Sequence, residues 1–322
     1  MKEKEERYII GCWWGRPSSG DIELPSTYVF DKIKPSIVEQ IEFINETLNE
    51  VAEEGQIEQV HTISMQINEN ESRRKDIVYV RPYDNKIFIG ESYLAYLWIM
   101  CYCAFSDFHE LCYMRYTELG GSEKKLALNA EFRQFANRLF SRNEKWDLQK
   151  YPNPGLYHKY DSFEINGATS LFQHAILYII LHECSHVIHD HGVIDRENEQ
   201  ESVTRSNEYE ADESACKLLV CGIEDKELIV SMQVGAVLGL LSILFMREEL
   251  KDTDHPADHR RVKMLLESLR VEKTHYAWGF ASILLQRLSR TTEAIVEPLS
   301  IGNMTFDTFK DQFDFVYGYI DQ

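Results

Sequence analysis

The sequence lacks the cysteine patterns that would point to a disulfide framework or to a structural zinc ribbon. It has seven cysteines and no C-x-x-C pair, and an odd number cannot all be paired within one chain. At 322 residues the chain can bury a large apolar core without covalent crosslinks. We therefore expect reduced and mostly buried thiols.

Basic clusters and a secretory leader are also missing. The segment Met1–Tyr8 is charged and does not have the pattern of a basic n-region followed by an apolar h-region, so no signal peptide is predicted and a cytoplasmic location is expected. The formal net charge is -19 at pH 7, whereas phosphate recognition needs clustered Lys and Arg. We expect no nucleic-acid binding, and a protein is the favoured partner or substrate.

Long apolar runs are scarce, and only Ile229 to Met246 approaches the length of a membrane span. That run is interrupted by Ser231, Gln233 and Ser242, and its flanks show no basic bias. The pattern favours a buried core helix over a membrane contact. The sequence does not indicate an oligomeric state.

The apolar periodicity predicts an α+β protein that is mainly helical. We expect a small N-terminal antiparallel sheet, from a strand at Ile63–Ile67 and a hairpin that joins Asp76–Pro82 to Lys86–Gly90. An aromatic, proline-containing connection divides a region at 1–165, suited to substrate recognition, from a helical core at 166–322. The predicted helices of the first region are Lys34–Glu54, Glu91–Leu119 and Ser122–Asn143.

A motif that can bind a metal, H-E-x-x-H, lies at His182, Glu183 and His186. It falls on a strongly apolar helix predicted over Ala168–His191, which has a capping-box start and Gly192 as its stop. Four residues of helix correspond to a rotation of about 40° and a rise of ~6 Å, so both imidazoles can converge on one ion. Zinc suits such ligands and lowers the pKa of bound water to about 7, which Glu183 is placed to deprotonate. The alternative is a buried helix with hydrogen-bonded histidines.

An acidic segment downstream can complete the ligand set. One helical face carries two carboxylates and two alanines, at Glu208, Ala211, Asp212 and Ala215. Because alanines permit close helix contact, Glu208 can reach the metal and Asp212 can accept a ring N–H from a ligand histidine. The neighbouring Glu210 is not expected to affect the metal. The alternative is a solvated acidic turn that the helix dipole favours.

Two further groups of residues flank these motifs. An Asp254-His255-Pro256 start predicts another helix, which continues through Arg261. His189 and His191 follow the first motif, but a metzincin pattern would need a histidine where Gly192 stands. We expect these two histidines to stabilise the C-terminal end of their helix.

The order of the three motifs resembles that of the gluzincin metallopeptidases of the HtpX and CAAX prenyl endopeptidase type. The patterns are H-E-x-x-H, E-x-x-A-D-x-x-A and H-P-x-x-x-x-R, and each is matched without a gap. In length and layout the chain is most similar to the Lit-type phage-exclusion peptidases. The resemblance implies a helical gluzincin-like zinc core and proteolysis linked to phage defence.

The same resemblance implies a role for each site residue. Zinc ligation falls to three side chains, His182, His186 and Glu208. Glu183 acts as the general base, and Asp212 supports a ligand histidine. His255 and Arg261 stabilise the transition state or the bound substrate. Since Lit-type peptidases act on elongation factor Tu, that factor is the first candidate substrate.

Two alternatives to this assignment stay open. H-E-x-x-H followed closely by E-x-E-A-x-x-x-A-x-x-L-L is also similar to the ImmA/IrrE metallopeptidases, which cleave repressors or other regulators. A non-catalytic binding module stabilised by zinc is the alternative from another class. Glu183 favours catalysis, because a closed structural zinc site needs no general base.

Overall fold

The computed structural model describes residues 13–14, 25–53, 64–68, 78–81, 86–112, 122–139, 146–156, 159, 162–189, 191, 201–247, 257–288 and 305–321. Its strands are β1 (Trp13–Trp14), β2 (Ser64–Asn68), β3 (Val78–Arg81) and β4 (Lys86–Gly90). Its helices are α1 (Pro25–Glu53), α2 (Glu91–Cys112), α3 (Ser122–Arg138), α4 (Phe163–Ile188), α5 (Glu201–Leu219), α6 (Lys226–Arg247), α7 (Asp258–Ser268), α8 (Tyr276–Leu288) and α9 (Phe309–Ile320). The fold is therefore mainly helical, as predicted.

The four described strands form one mixed sheet in the order β1-β2-β4-β3. The predicted hairpin is confirmed, since β3 and β4 pair antiparallel with Val78 opposite Ile89. The expectation of an antiparallel sheet is wrong, because β2 runs parallel to both β1 and β4, with Ser64 opposite Lys86. Parallel neighbours need a long connection, and α1 lies between β1 and β2 in the chain. The direction of β2 therefore depends on that connection.

Helix α4 lies at the centre of the helical part and packs against α2, α5 and α6. Both α4 and the Lys226–Met246 portion of α6 are long and apolar enough to cross a membrane, but 72% of the apolar window of each is buried inside the protein. The segment Ile229–Met246 thus forms part of a core helix, as predicted. The apolar core is continuous from α1 to α9. It contains residues from both of the predicted regions, 1–165 and 166–322.

Close contact between α4 and α6 depends on glycine. A Cβ added at Gly235 would lie 2.4 Å from the Cβ of His174 and 3.0 Å from the backbone N of Ala175. One turn later, a Cβ at Gly239 would lie 3.1 Å from the backbone O of Ala175. The backbone of α6 at these two glycines therefore packs directly against His174 and Ala175 of α4, and this close contact fixes the position of α4.

Several helix ends differ from the predicted positions. Helix α4 begins at Phe163, before the predicted capping box, and the Ser162 hydroxyl donates to the carbonyls of Leu156 and Lys159 and does not cap the helix. Helix α7 begins after Ala257, so the predicted Asp254 cap and His255 lie outside the described residues. The buried apolar surface along α4 outweighs the local capping signal.

Candidate metal centre

Two neighbouring helices bring together three side chains that could hold a metal ion. Helix α4 carries His182 and His186 one turn apart, and α5, which packs against α4, carries Glu208. The Nε2 atoms of the two histidines lie 3.0 Å apart. Glu208 Oε2 lies 3.5 Å from His182 Nε2, and Oε1 lies 3.6 Å from His186 Nε2. One ligand atom from each residue lies within 4.8 Å of the others, so the set can hold one metal ion.

The chemistry of these donors suits zinc, and the two distances to Glu208 match a tetrahedral site, whereas the two histidine nitrogens lie somewhat closer together. Zinc bonds of about 2.0–2.2 Å to nitrogen and oxygen place tetrahedral ligand atoms roughly 3.3–3.6 Å apart. One other cluster in the described part of the chain, His109, Glu110 and Glu164, also meets the distance criterion. There the ammonium of Lys125 lies 3.0 Å from Glu110 and also contacts Glu164. The Lys125 ammonium thus already pairs with both carboxylates of the second cluster.

Asp212 supports His182 from the side away from the other ligands. Its Oδ1 lies 2.9 Å from Nδ1 of His182, although off the direction of the ring N–H. The same oxygen accepts a hydrogen bond of 2.7 Å from the hydroxyl of Tyr178, which precedes His182 by one turn of α4. Asp212 therefore lies in the supporting position that the sequence predicts.

Arg261, from α7, binds the carboxylates of α5. Its Nε and Nη2 donate to the two oxygens of Asp212 at 2.9 and 2.8 Å, which is a bidentate pair. Its Nη1 lies 3.0 Å from Oε2 of Glu208. All three side chains are buried. Arg261 thus contacts a ligand carboxylate and the carboxylate that supports a ligand histidine.

The charges of this cluster shift the pKa values of its members. Burial opposes ionisation of Asp212, but the Arg261 guanidinium and the neighbouring His182 outweigh it and hold the pKa of the carboxyl well below its usual range. Burial lowers the pKa of His182, but Asp212 and Glu208 outweigh burial and raise it to about 10, so a metal bound to this ring would displace a proton. Burial lowers the pKa of His186, and the neighbouring His182 lowers it further. His186 is therefore a neutral imidazole near pH 7, which is the form that binds a metal.

Glu183 lies between the two histidines in the chain and is half-buried. Burial raises the pKa of the Tyr93 hydroxyl of α2, and the charge of Glu183 makes a smaller contribution in the same direction. Tyr93 itself is held by the hydroxyl of Ser242, at 3.0 Å. The next residue, Cys184, is fully buried and its thiol is free, which is the expected structural thiol.

His191, which follows α4, makes side-chain contacts that the sequence did not predict. The backbone N–H of His191 donates to the carbonyl of His186 at 3.0 Å, so it does close the helix end. Its ring, however, turns back: Nδ1 lies 3.0 Å from Nδ1 of His186, and Nε2 lies 3.2 Å from Oε2 of Glu210. Glu210, expected to be remote from the metal, thus connects to a ligand histidine.

The structure describes all of the predicted site residues except His255. The structure brings five of them into one cluster, His182, His186, Glu208, Asp212 and Arg261, and Glu183 lies next to His182 on α4. His255 lies outside the described part of the chain. Tyr178 was missed, although its spacing of one helical turn from His182 was a visible signal.

The fold and cluster define a mainly helical protein with a candidate metal centre between two packed helices. Comparison with known families then identifies it further: the family profile described as Peptidase U49 matches residues 87–281. The chain belongs to the Peptidase U49 family and is a peptidase. The matched segment contains every described residue of the cluster. No curated protein and no solved structure matches the chain.

Proposed function

We propose that the chain is a zinc-dependent endopeptidase of the gluzincin type. The observation that carries the proposal is the convergence of His182, His186 and Glu208, with Glu183 on the same turn of α4 as the two histidines. Membership of a peptidase family supports it independently. A donor set with three protein ligands leaves a position for water or substrate, which is typical of catalytic rather than structural zinc sites.

When bound, zinc supplies a water whose pKa is lowered to about 7. Glu183 would accept a proton from the attacking water and return it to the leaving amine, as a general base and then a general acid. His182, His186 and Glu208 hold the ion, and Asp212 holds the ring of His182. The chain thus supplies the ligands and the proton carrier from two adjacent helices.

Arg261 takes a different role from the one implied by the family resemblance. Its three nitrogens face Asp212 and Glu208, so we propose that it orients these carboxylates rather than the substrate. His255 keeps its proposed role in stabilising the developing oxyanion. His255→Ala is then expected to retain zinc while kcat falls.

A peptide substrate has a candidate docking edge near α4. Among the described strands β3 is at one end of the sheet, and it packs against α4. An extended peptide can add to such an edge through main-chain hydrogen bonds. We propose a protein substrate in the cytoplasm, cleaved at a specific bond, with the N-terminal region contributing to its recognition.

The first test concerns the reaction. Glu183→Gln keeps the side-chain length and removes the proton acceptor, so proteolysis should fall by at least ~10²-fold while bound zinc stays at about one per chain. Elemental analysis of chelator-free protein gives the zinc content, and peptide turnover gives the rate. If wild-type protein holds no stoichiometric metal, the proposal is wrong. If it holds zinc but Glu183→Gln cleaves equally well, another group is the base.

The second test concerns the biological role, for which the Lit-type resemblance suggests phage defence and elongation factor Tu as the first candidate substrate. Bacteria that express wild type or Glu183→Gln are challenged with a panel of phages, and their proteomes are compared for new internal termini. We expect restriction of some phages and a Glu183-dependent cut. A cut in a transcriptional regulator without phage restriction would favour a role like that of the ImmA/IrrE peptidases. The absence of any Glu183-dependent cut would favour a zinc-stabilised binding module.

A further inference from the structure

The ring of His186 has a second nitrogen that leads away from the metal centre. Nε2 faces the other ligands, whereas Nδ1 lies 3.0 Å from Nδ1 of His191. Nε2 of His191 in turn lies 3.2 Å from Oε2 of Glu210. The side chain of His191 is 7% exposed and that of Glu210 is 56% exposed. The row therefore runs from the buried site to the surface.

Only one arrangement of protons satisfies both contacts when Nε2 of His186 ligates a metal. His186 must then carry its proton on Nδ1 and donate it to Nδ1 of His191. His191 must be neutral, with its own proton on Nε2, from which it donates to the carboxylate of Glu210. If His191 were doubly protonated, its Nδ1–H would point at the Nδ1–H of His186, and no hydrogen bond could form between them. Glu210 thus selects the tautomer of His191, and His191 selects the tautomer of His186.

The backbone holds this row in place. The N–H of His191 donates to the carbonyl of His186, so the chain folds back over the last turn of α4. Glu210 lies on α5, two positions after the ligand Glu208, and α5 packs against α4. The same helix pair that builds the metal centre therefore also positions both ends of the row.

We propose that His191 and Glu210 are positioning residues for His186, an inference that rests on the proposed zinc site. Ligand histidines generally donate their second N–H to a carboxylate, a carbonyl or water, and this partner orients the ring and raises its basicity. His182 has Asp212 at direct distance. His186 reaches its carboxylate through an intervening imidazole, so each ligand histidine has one supporting carboxylate.

The test measures zinc affinity by competition with a chromophoric chelator. His191→Phe keeps a ring of similar size and removes both nitrogens, so zinc binding should weaken by about 10–100-fold, the usual effect of losing such a partner. His191→Asn offers an amide oxygen near the Nδ1 position and should recover part of that loss. Glu210→Ala should weaken binding several-fold. Because Glu210 acts only through His191, the double variant should match His191→Phe alone.

The matched control is Glu213→Ala, which removes another exposed carboxylate of α5, one that pairs with Lys217 of the following turn. Its zinc affinity should equal that of wild type. Cobalt-substituted protein supplies a second measurement, because the proton on Nδ1 of His186 gives a shifted exchangeable NMR signal. Exchange of that proton with solvent should accelerate in Glu210→Ala, a variant at an exposed position that keeps the fold.

Several results would overturn the proposal. Unchanged zinc affinity in His191→Phe, losses that multiply in the double variant, or an equal loss in Glu213→Ala would each do so. If His191→Phe does not fold, unchanged affinity and unchanged proton exchange in Glu210→Ala would decide against it. Wild-type protein without zinc affinity would overturn the proposed function as well, and this distinguishes the two failures.

Discussion

At the scale of single residues, Arg261 is the feature of the site that the sequence described least well. The H-P-x-x-x-x-R pattern identified the residue but gave it a role at the substrate. Its guanidinium lies instead between two buried carboxylates of another helix, Asp212 and Glu208. Removing one member of a buried charge cluster leaves the others without compensation and typically costs about 3–5 kcal/mol.

We therefore expect Arg261→Ala to lower the free energy of unfolding of the metal-free protein by about 3–5 kcal/mol. The control is Arg260→Ala, since that side chain is 43% exposed and its pair with Asp321 lies at the surface. Its loss should change stability by less than about 1 kcal/mol. Urea denaturation of both variants gives the comparison. If Arg261→Ala keeps its stability and loses only kcat, the arginine acts on the substrate.

Sequence spacing was sufficient for residues whose contacts follow from one helix and its most apolar face. His182 and His186 share a face because four residues make about one turn, and Glu208 and Asp212 do so for the same reason. The contact between His191 and His186 depends on how the chain turns after α4. No pattern within either helix contains that information.

At the scale of elements, the close contact of α4 with α6 depends on two positions of α6, Gly235 and Gly239, that carry no side chain. Gly235 leaves room for the Cβ of His174, and the Nδ1 of that histidine lies 3.0 Å from the hydroxyl of Ser231. Burial lowers the pKa of His174 to about 4, so the ring is neutral where the helices meet. The position of the metal-binding turn on α4 therefore rests on this contact.

Gly235→Ala should destabilise the protein by about 1–3 kcal/mol, because the added methyl group meets a backbone atom that cannot move alone. Gly318→Ala is the matched control, since a Cβ at that position of α9 meets nothing within 4 Å. That substitution should stabilise the protein by up to about 1 kcal/mol through helix propensity. Thermal or urea unfolding measures both. Equal effects at the two positions would contradict the close helix contact.

The elements themselves were predictable to different degrees. The β3–β4 hairpin and α6 follow from alternation and from an apolar run, which are local signals. The direction of β2 was not predictable, because Ser64–Asn68 can pair in either direction and only the preceding helix determines which. The start of α4 was missed because the predicted capping box lies inside the helix, whose first residue is Phe163.

At the scale of the whole molecule, one site joins three helices. Histidines from α4, a carboxylate from α5 and a guanidinium from α7 meet within one buried cluster. Because an unfolded chain does not hold these donors together, a metal bound by them would contribute directly to folding stability. The stability of this protein is thus expected to depend on zinc.

Buffered zinc at 1,000 times its Kd should add about 4 kcal/mol to the free energy of unfolding. Chelation should remove that increment, and Glu208→Ala should lose most of it because one ligand is missing. Magnesium should have little effect, since it prefers an all-oxygen octahedral site. Calorimetry at fixed free metal concentrations checks this. A transition temperature that does not respond to zinc would be inconsistent with the proposed ligand set.

The position of Arg261 on α7 also has a consequence for the order in which the active enzyme is made. The ribosome completes the two histidines and Glu208 first, and then all of α6, before it reaches Arg261. At about 5–20 residues per second this delay lasts on the order of a few seconds. During that time the nascent chain contains the H-E-x-x-H motif, Glu208 and Asp212, but it does not yet contain the Arg261 guanidinium that pairs with these two carboxylates. We therefore expect a chain that ends before α7 to be a poor protease even though it contains the two histidines and Glu208.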